Sequence, residues 1–474
     1  MSAELDAVIV GSGPNGLAAA ALLAREGYSV RVIEGRAEIG GGTRTAELTL
    51  PGFRHDVCSA VHPMGVLSPF FSKLPLSEHG LQWIAADVSA AHPLDDGPAV
   101  LLQRSVEATA EQLEGDGRRY RALMEPFVRV GEPLMEDLVG PLRFPRHPLA
   151  MARFGFYGVR SALGLGRLYD GARAKALLAG CAAHAILPFE RLLSGGVGLI
   201  FSFTAHLREW PVARGGSEAI AAALASYVRA CGGEISTGTW VRSLSELPDS
   251  RVVLFDLAPK QVLAIAGDAL PAGYRRRLSR YRYGPAVFKV DWALDGPIPW
   301  RDGRCAQAST VHVGGTLEEI AAAEQQVWQG QPSERPFVMV CQQSHFDGSR
   351  APEGKHTGYA YCHVPFGCDV DVTEAIEAQV ERFAPGFRDR ILARATMAPA
   401  DFEAYNPSFV GGTITGGVSD LGQFFTRPVA RLDPYSTPNP RLFLCSSATP
   451  PGGGVHGMGG YYAALSAVRR LRRG

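Results

Sequence analysis

A chain of 474 residues with 46% hydrophobic content can bury a large core and build more than one domain. Its formal net charge is zero, which argues against nucleic acid as the principal partner. Eight cysteines stand singly, with no CxxC and no metal spacing, so they read as reduced thiols of a cytoplasmic protein, and no metal site is expected.

The chain opens towards a strand, without the basic region and cleavage site of a signal peptide. The longest uncharged apolar stretches, around 176–189 and 194–207, fall short of the ~20 residues a spanning helix needs. The first strand is the apolar run Ala7 to Val10, followed at once by Gly11-Ser12-Gly13-Pro14-Asn15-Gly16 and an alanine-rich helix over 17–25 that Gly27 stops. A second strand, Ser29 to Ile33, ends in Glu34. Strand, glycine turn, helix, strand and acid together make the dinucleotide-binding pattern. Gly11 allows a tight turn, Gly13 lets a pyrophosphate approach the backbone, Gly16 lets helix and strand pack, and Glu34 can accept from ribose hydroxyls.

A second glycine turn follows at Gly40-Gly41-Gly42-Thr43-Arg44. With it the sequence resembles the FAD-binding family that contains phytoene desaturases and amine oxidases. The resemblance implies non-covalent FAD, with the second turn near the diphosphate and ribityl chain. Amine oxidases continue Gly-Gly-Arg, whereas position 42 here is Gly, so either Arg36 or Arg44 meets the phosphate charge.

Residues 47–55 read as a short hairpin with a Pro-Gly turn. The segment after it, Asp56 to Phe71, passes near the flavin in the resembling family, which makes His62 a candidate active-site residue; a buried, hydrogen-bonded histidine is the alternative. From 72 to about 210 helical periodicity alternates with prolines. Leu149 to Tyr169 carries Arg153, Arg160 and Arg167 among apolar residues. This pattern fits a basic amphipathic helix on an anionic membrane surface, or a substrate-domain helix with one wet face.

Ser217 is a candidate cap for a helix whose apolar face is Ile220, Leu224, Tyr227, Val228 and Cys231. Strands are expected at 234–236, 240–244 and 251–256, and by resemblance Val241 offers a backbone group to adenine. The run 284–294 reads as the long strand of the second domain and carries Lys289, one of five lysines. Amine oxidases hold a water against the flavin with a lysine at a comparable place, so Lys289 is a candidate catalytic residue; the alternative is a lysine snorkelling to solvent beside Asp291. A helix over 373–384 follows strands at 337–341 and 359–363.

The chain ends on a strand over 441–445, a glycine-rich turn over 446–460 and a helix from about Tyr461. In the family this helix start faces the flavin pyrimidine, where it stabilises negative charge, and His456 would assist or touch substrate. Tyr461 and Tyr462 are either walls of the site or core.

The resemblance covers nearly the whole chain and implies an α/β fold. A Rossmann-like FAD-binding domain is assembled from 1–70, 208–284 and 408–474, and an inserted mixed-sheet plus helical substrate domain from 71–207 and 285–407. It places the cofactor set at Gly11, Gly13, Pro14, Asn15, Gly16, Glu34, Gly35, Arg36, Gly41, Gly42, Thr43, Arg44, Val241, Ser447, Gly453, Val455, His456, Gly457 and Met458. The catalytic candidates are Lys289, His456 and His62. No redox CxxC and no second nucleotide motif is present, so electrons would come from the organic substrate and leave to oxygen or a quinone. The expected activity is dehydrogenation or desaturation of an apolar, isoprenoid- or polyene-like small molecule by hydride transfer to flavin N5. A flavin amine oxidase and a non-catalytic lipid or prenyl carrier on the same fold are the alternatives.

Overall fold

The strand Leu5–Val10 is buried on both faces from Ala7 to Val10, an apolar run, and it takes the centre of a parallel sheet. The computed structural model describes residues 4–473. The sheet has five strands in the order Leu442–Leu444, Ser250–Phe255, Leu5–Val10, Val30–Ile33, Glu234–Ser236, all parallel to their neighbours. Three distant stretches of chain thus meet in one layer. The helices Pro14–Arg25, Glu218–Ala230 and Met458–Leu471 pack together on it through alanine and glycine, which let backbones approach closely. At the crossing of the first and last of these helices, a Cβ on Gly460 would stand 1.8 Å from the Asn15 carbonyl oxygen.

A seven-stranded mixed sheet forms the second layer, in the order Ile391–Met397, Ala286–Leu294, His356–Val364, Val338–Cys341, Ala308–Val313, Val88–His92, Val100–Leu102. Its neighbours are antiparallel except the pair of 308–313 with 88–92. The helices Ala172–Ala183 and Ser194–Leu207 pack beside it. Asp56 ties the two layers together from a fully buried position. It pairs with Arg350 and accepts from the Ser217 N–H at 2.7 Å, Thr45 Oγ1 at 2.9 Å and Gln343 Nε2 at 3.3 Å. All eight cysteines are free thiols.

Several sequence expectations are corrected. No strand forms over 240–244; the segment is irregular and closes in a short 3-10 turn, Leu244–Glu246. Ser217 does not cap its helix, because its hydroxyl donates to the Ser59 carbonyl at 2.6 Å and meets His62 Nε2 at 2.8 Å. The C-terminal helix starts at Met458, three residues before Tyr461, since Gly457 supplies the left-handed turn at φ 67°. The stretch 149–169 is two helices, Pro148–Gly158 and Ala162–Gly166; the break lets Ser161 Oγ accept from Gly164 N. Among the described residues no helix is long and apolar enough to cross a membrane.

Candidate functional site

The carboxyl ends of the parallel strands open into a cavity of about 530 Å³ that continues between the two sheets. At its sheet end the two glycine turns are back to back. Gly40 N donates to the Ser12 carbonyl at 3.0 Å, and a Cβ on Gly41 would come within 3.2 Å of the Gly13 Cα. A Cβ on Gly13 would lie 2.5 Å from Asp256 Oδ2, and one on Gly16 2.2 Å from the Gly11 carbonyl oxygen. Only glycines let the strand, the turns and the first helix come this close.

Glu34 ends its strand at this surface and accepts from Ser12 N at 2.9 Å, Ser12 Oγ at 2.6 Å and Arg36 N at 2.9 Å. The two candidate arginines differ. Arg44 Nη2 and Nε are taken by the carbonyls of Glu38 and Ile39, at 2.6 to 3.1 Å. Arg36 stacks on Trp240, its Cζ 5.5 Å from the ring centroid, and its Nε has no partner among the described residues. Arg36 Nη2 donates to the Ala404 carbonyl, and both arginines bring their charge to the glycine-turn end of the wall.

Asp256 was legible only as the end of a strand. Its Oδ2 accepts from Gly16 N at 2.8 Å, and it lines the cavity. Burial, reinforced by the nearby Glu34 charge, pushes its carboxyl up to about 7, against the pull of the Gly16 and Gly13 N–H groups.

The wall holds Gly11, Gly13, Pro14, Asn15, Glu34, Gly35, Arg36, Gly41, Gly42, Thr43, Arg44, Val241, Ser447, Gly453, Val455 and His456. Gly16, Gly457 and Met458 stand behind it. Gly16 serves the helix–strand contact, while Gly457 faces Phe71 and Met458 is buried beside Ser68. His62 lines the wall with its Nε2 on Ser217, and burial drops its pKa to about 4. His456 accepts from Met458 N through Nδ1 at 3.0 Å, and burial drops it to about 4 as well.

Lys289 is not among the wall residues, and it does not snorkel to solvent. It is 1% exposed, paired with Asp291, and sits 4.5 Å from the centroid of Tyr359, which lines the cavity. Tyr461 and Tyr462 pack on Phe70 and Tyr435, away from the wall.

The far end of the cavity was not readable from local motifs. It is built from Val61, Met64, Ile186, Ile200, Phe201, Trp210, Met339, Tyr359 and Tyr361, with the thiols of Cys58 and Cys341. His184 lines it, stacked on Phe201 at 4.2 Å between centroids, with its Nε2 3.0 Å from His312 Nε2. Burial drops His184 to about 3 and raises both thiols to about 12, so these groups are neutral at pH 7. Among the described residues, the charged side chains of the wall are Glu34, Arg36, Arg44 and Asp256, all at the glycine-turn end. No cluster of His, Cys, Asp or Glu able to hold a metal occurs among the described residues.

Comparisons with known proteins agree with this architecture. Residues 9–74 match the family model described as an NAD(P)-binding Rossmann-like domain. The chain is 27% identical to pyridine nucleotide-disulfide oxidoreductase domain-containing protein 2 of Rattus norvegicus, over 99% of this chain and 94% of that protein. A shorter match, 32% identical over 27% of this chain and 24% of the relative, is to a limonene dehydrogenase component of Castellaniella defragrans. Among solved structures, a triple mutant of putrescine oxidase superposes with a TM-score of 0.62 at 18% identity, covering 99% of each chain. The chain thus shares its Rossmann-like α/β fold with putrescine oxidase, and over nearly its whole length it is similar to the oxidoreductase-domain protein of the rat.

Proposed function

We propose that the cavity holds FAD at its glycine-turn end and dehydrogenates an uncharged, isoprenoid-like molecule at its far end. The observation that carries this reading is the division of charge along the wall. Arg36 and the backbone N–H groups of the two turns suit a diphosphate, and Glu34 suits ribose hydroxyls. FAD supplies, when bound, a two-electron acceptor for a hydride leaving carbon. The protein supplies the dry apolar enclosure that orients the substrate and excludes water. Electrons would then leave to oxygen or a quinone. The local likeness to a limonene dehydrogenase component points to the same substrate class.

An amine oxidase is the second reading, favoured by the fold shared with putrescine oxidase. Against it, the far wall offers no carboxylate for an ammonium group, and Lys289 is not part of it.

The test is an absorption spectrum of the purified protein, followed by anaerobic titration with an isoprenoid hydrocarbon and, separately, a diamine. A flavin spectrum bleached by the hydrocarbon and not by the diamine is expected. Bleaching by the diamine alone would transfer the site to amine oxidation. Absence of flavin after reconstitution with FAD would return the chain to the carrier class.

Asp256 adds a pH dependence. An unfolded carboxyl ionises near 3.8, whereas the folded one holds its proton up to about 7. Between these values the folded state binds the extra proton, so the ligand-free protein loses stability as pH rises through that window. A diphosphate also prefers the neutral carboxyl, so FAD affinity should fall above pH 7 by up to about tenfold per unit. Titrating FAD into apoprotein across pH 6 to 9 should show this slope in the wild type and a flat profile in Asp256→Asn.

A further inference from the structure

The segment 139–160 exposes large apolar side chains to a degree that a water-facing surface does not require. Leu142 is 73% exposed, Phe144 86%, Leu149 87%, Phe156 60% and Val159 42%. The same segment carries Arg143, Arg146, Arg153 and Arg160, and contains no Asp or Glu. Arg146 pairs with Glu136 of the preceding helix. Among the described residues, Arg143, Arg153 and Arg160 have no carboxylate partner: Arg143 donates to the Glu136 carbonyl and Arg153 to that of Ala122, while Arg160 stacks on Phe156 at 4.6 Å. Apolar side chains pointing outwards beside guanidinium groups that have no carboxylate partner are what an anionic bilayer surface binds. The rings and aliphatic chains enter the acyl boundary, and the cations meet the phosphates.

The position of this patch relative to the cavity adds a second, independent observation. Leu138 and Val139, immediately before it, are part of the cavity wall. The helix Pro148–Gly158 lies directly on the helix Ser194–Leu207, where a Cβ on Gly196 would be 2.4 Å from the Gly158 carbonyl oxygen. Val197, Ile200 and Phe201 of that second helix line the cavity. One helix layer therefore separates the exposed apolar surface from the apolar end of the site.

We propose that residues 142–160 form a membrane-docking surface that seats the protein on an anionic bilayer, with the apolar end of the cavity next to the lipid. The free arginines commit the surface to phospholipid rather than to a second copy of the chain, because guanidinium groups facing each other across a symmetric contact would repel. Only the delivery of substrate through this surface rests on the proposed function; the docking itself does not.

The experiment is co-sedimentation of the full chain with vesicles of mixed phosphatidylcholine and phosphatidylserine, against phosphatidylcholine alone, at low and at physiological salt. Binding to the anionic vesicles, weakened by salt, is expected. Phe144→Ser with Leu149→Ser should weaken it more than about tenfold through lost insertion. Arg143→Gln, Arg153→Gln and Arg160→Gln together should weaken it by about one to two orders of magnitude on anionic vesicles only. Phe144, Leu149, Arg143 and Arg153 are exposed and Arg160 is half-buried, so an unchanged melting temperature would show that each variant is folded. Absence of vesicle binding by the wild type would overturn the proposal, and so would binding that neither set affects. A concentration-dependent dimer that the serine variant dissolves, without vesicle binding, would assign the surface to a second copy instead. Because none of these readouts involves flavin or turnover, a failed substrate titration would leave the docking result standing.

Discussion

Replacing Lys289 by methionine is expected to destabilise the fold by about 3–5 kcal/mol, the usual effect of removing one partner from a buried ion pair. Lys289 and Asp291 are each 1% exposed and pair with each other inside the second sheet, at a strand position where every residue from Ala286 to Leu294 is buried. Without the lysine, Asp291 keeps only His55, whose Nδ1 lies 3.4 Å from Oδ1. Equilibrium denaturation measures the effect, and Lys289→Met combined with Asp291→Leu should recover much of it, since paired removal of buried charges is close to neutral. The rate of flavin reduction per folded molecule should be unchanged in both variants, because Lys289 is not part of the cavity wall. A stable Lys289→Met protein with slowed reduction would instead give this lysine a role in the chemistry.

Gly460→Ala should cost at least the about 3 kcal/mol at the upper end of ordinary overpacking, and should release the dinucleotide. The new Cβ would lie 1.8 Å from the Asn15 carbonyl oxygen and 3.0 Å from Ala19 N, both backbone atoms that no rotamer change can clear. The C-terminal helix must then lift from the first helix, and Asn15 belongs to the Gly11–Gly16 turn that the cofactor reading depends on. Thermal unfolding and flavin content per mole of protein measure the two effects. Gly273→Ala serves as the matched control. It lies in the helix Ala272–Leu278 with no atom within 4 Å of the new Cβ, and should gain up to about 1 kcal/mol from helix propensity.

The features legible in the sequence are those whose physical cause lies within a few residues or one supersecondary unit. Strand, glycine turn, helix and acid follow one another between residues 5 and 34, and each is dictated by local sterics and apolar period. The second glycine turn and the turn before the C-terminal helix are equally local, although Gly457 starts that helix three residues earlier than its tyrosines suggest. Ser217 shows the limit of a local cue. A serine before an apolar helix is a capping signal, but a histidine 155 positions earlier takes its hydroxyl.

Lys289 shows why the site itself was less readable. In a strand exposed on one face, alternation of polar and apolar residues tells which side chains point outwards. Between Ala286 and Leu294 both faces are covered, so that signal is absent, and neither the cavity nor the solvent is where the lysine went. The apolar end of the cavity carries no motif either, because His184, Phe201, Trp210, Met339 and Tyr359 come from separate elements and share no spacing. Asp256 meets the N–H of Gly16 across 240 residues of chain.

By itself, then, the sequence determined the Rossmann-like core and its glycine turns, because those depend on local backbone conformation and close packing at glycine. The tertiary structure alone decided how each arginine is held, which carboxyl rises to about 7 and which half of the cavity is uncharged, because desolvation and pairing arise only where distant segments close over one another.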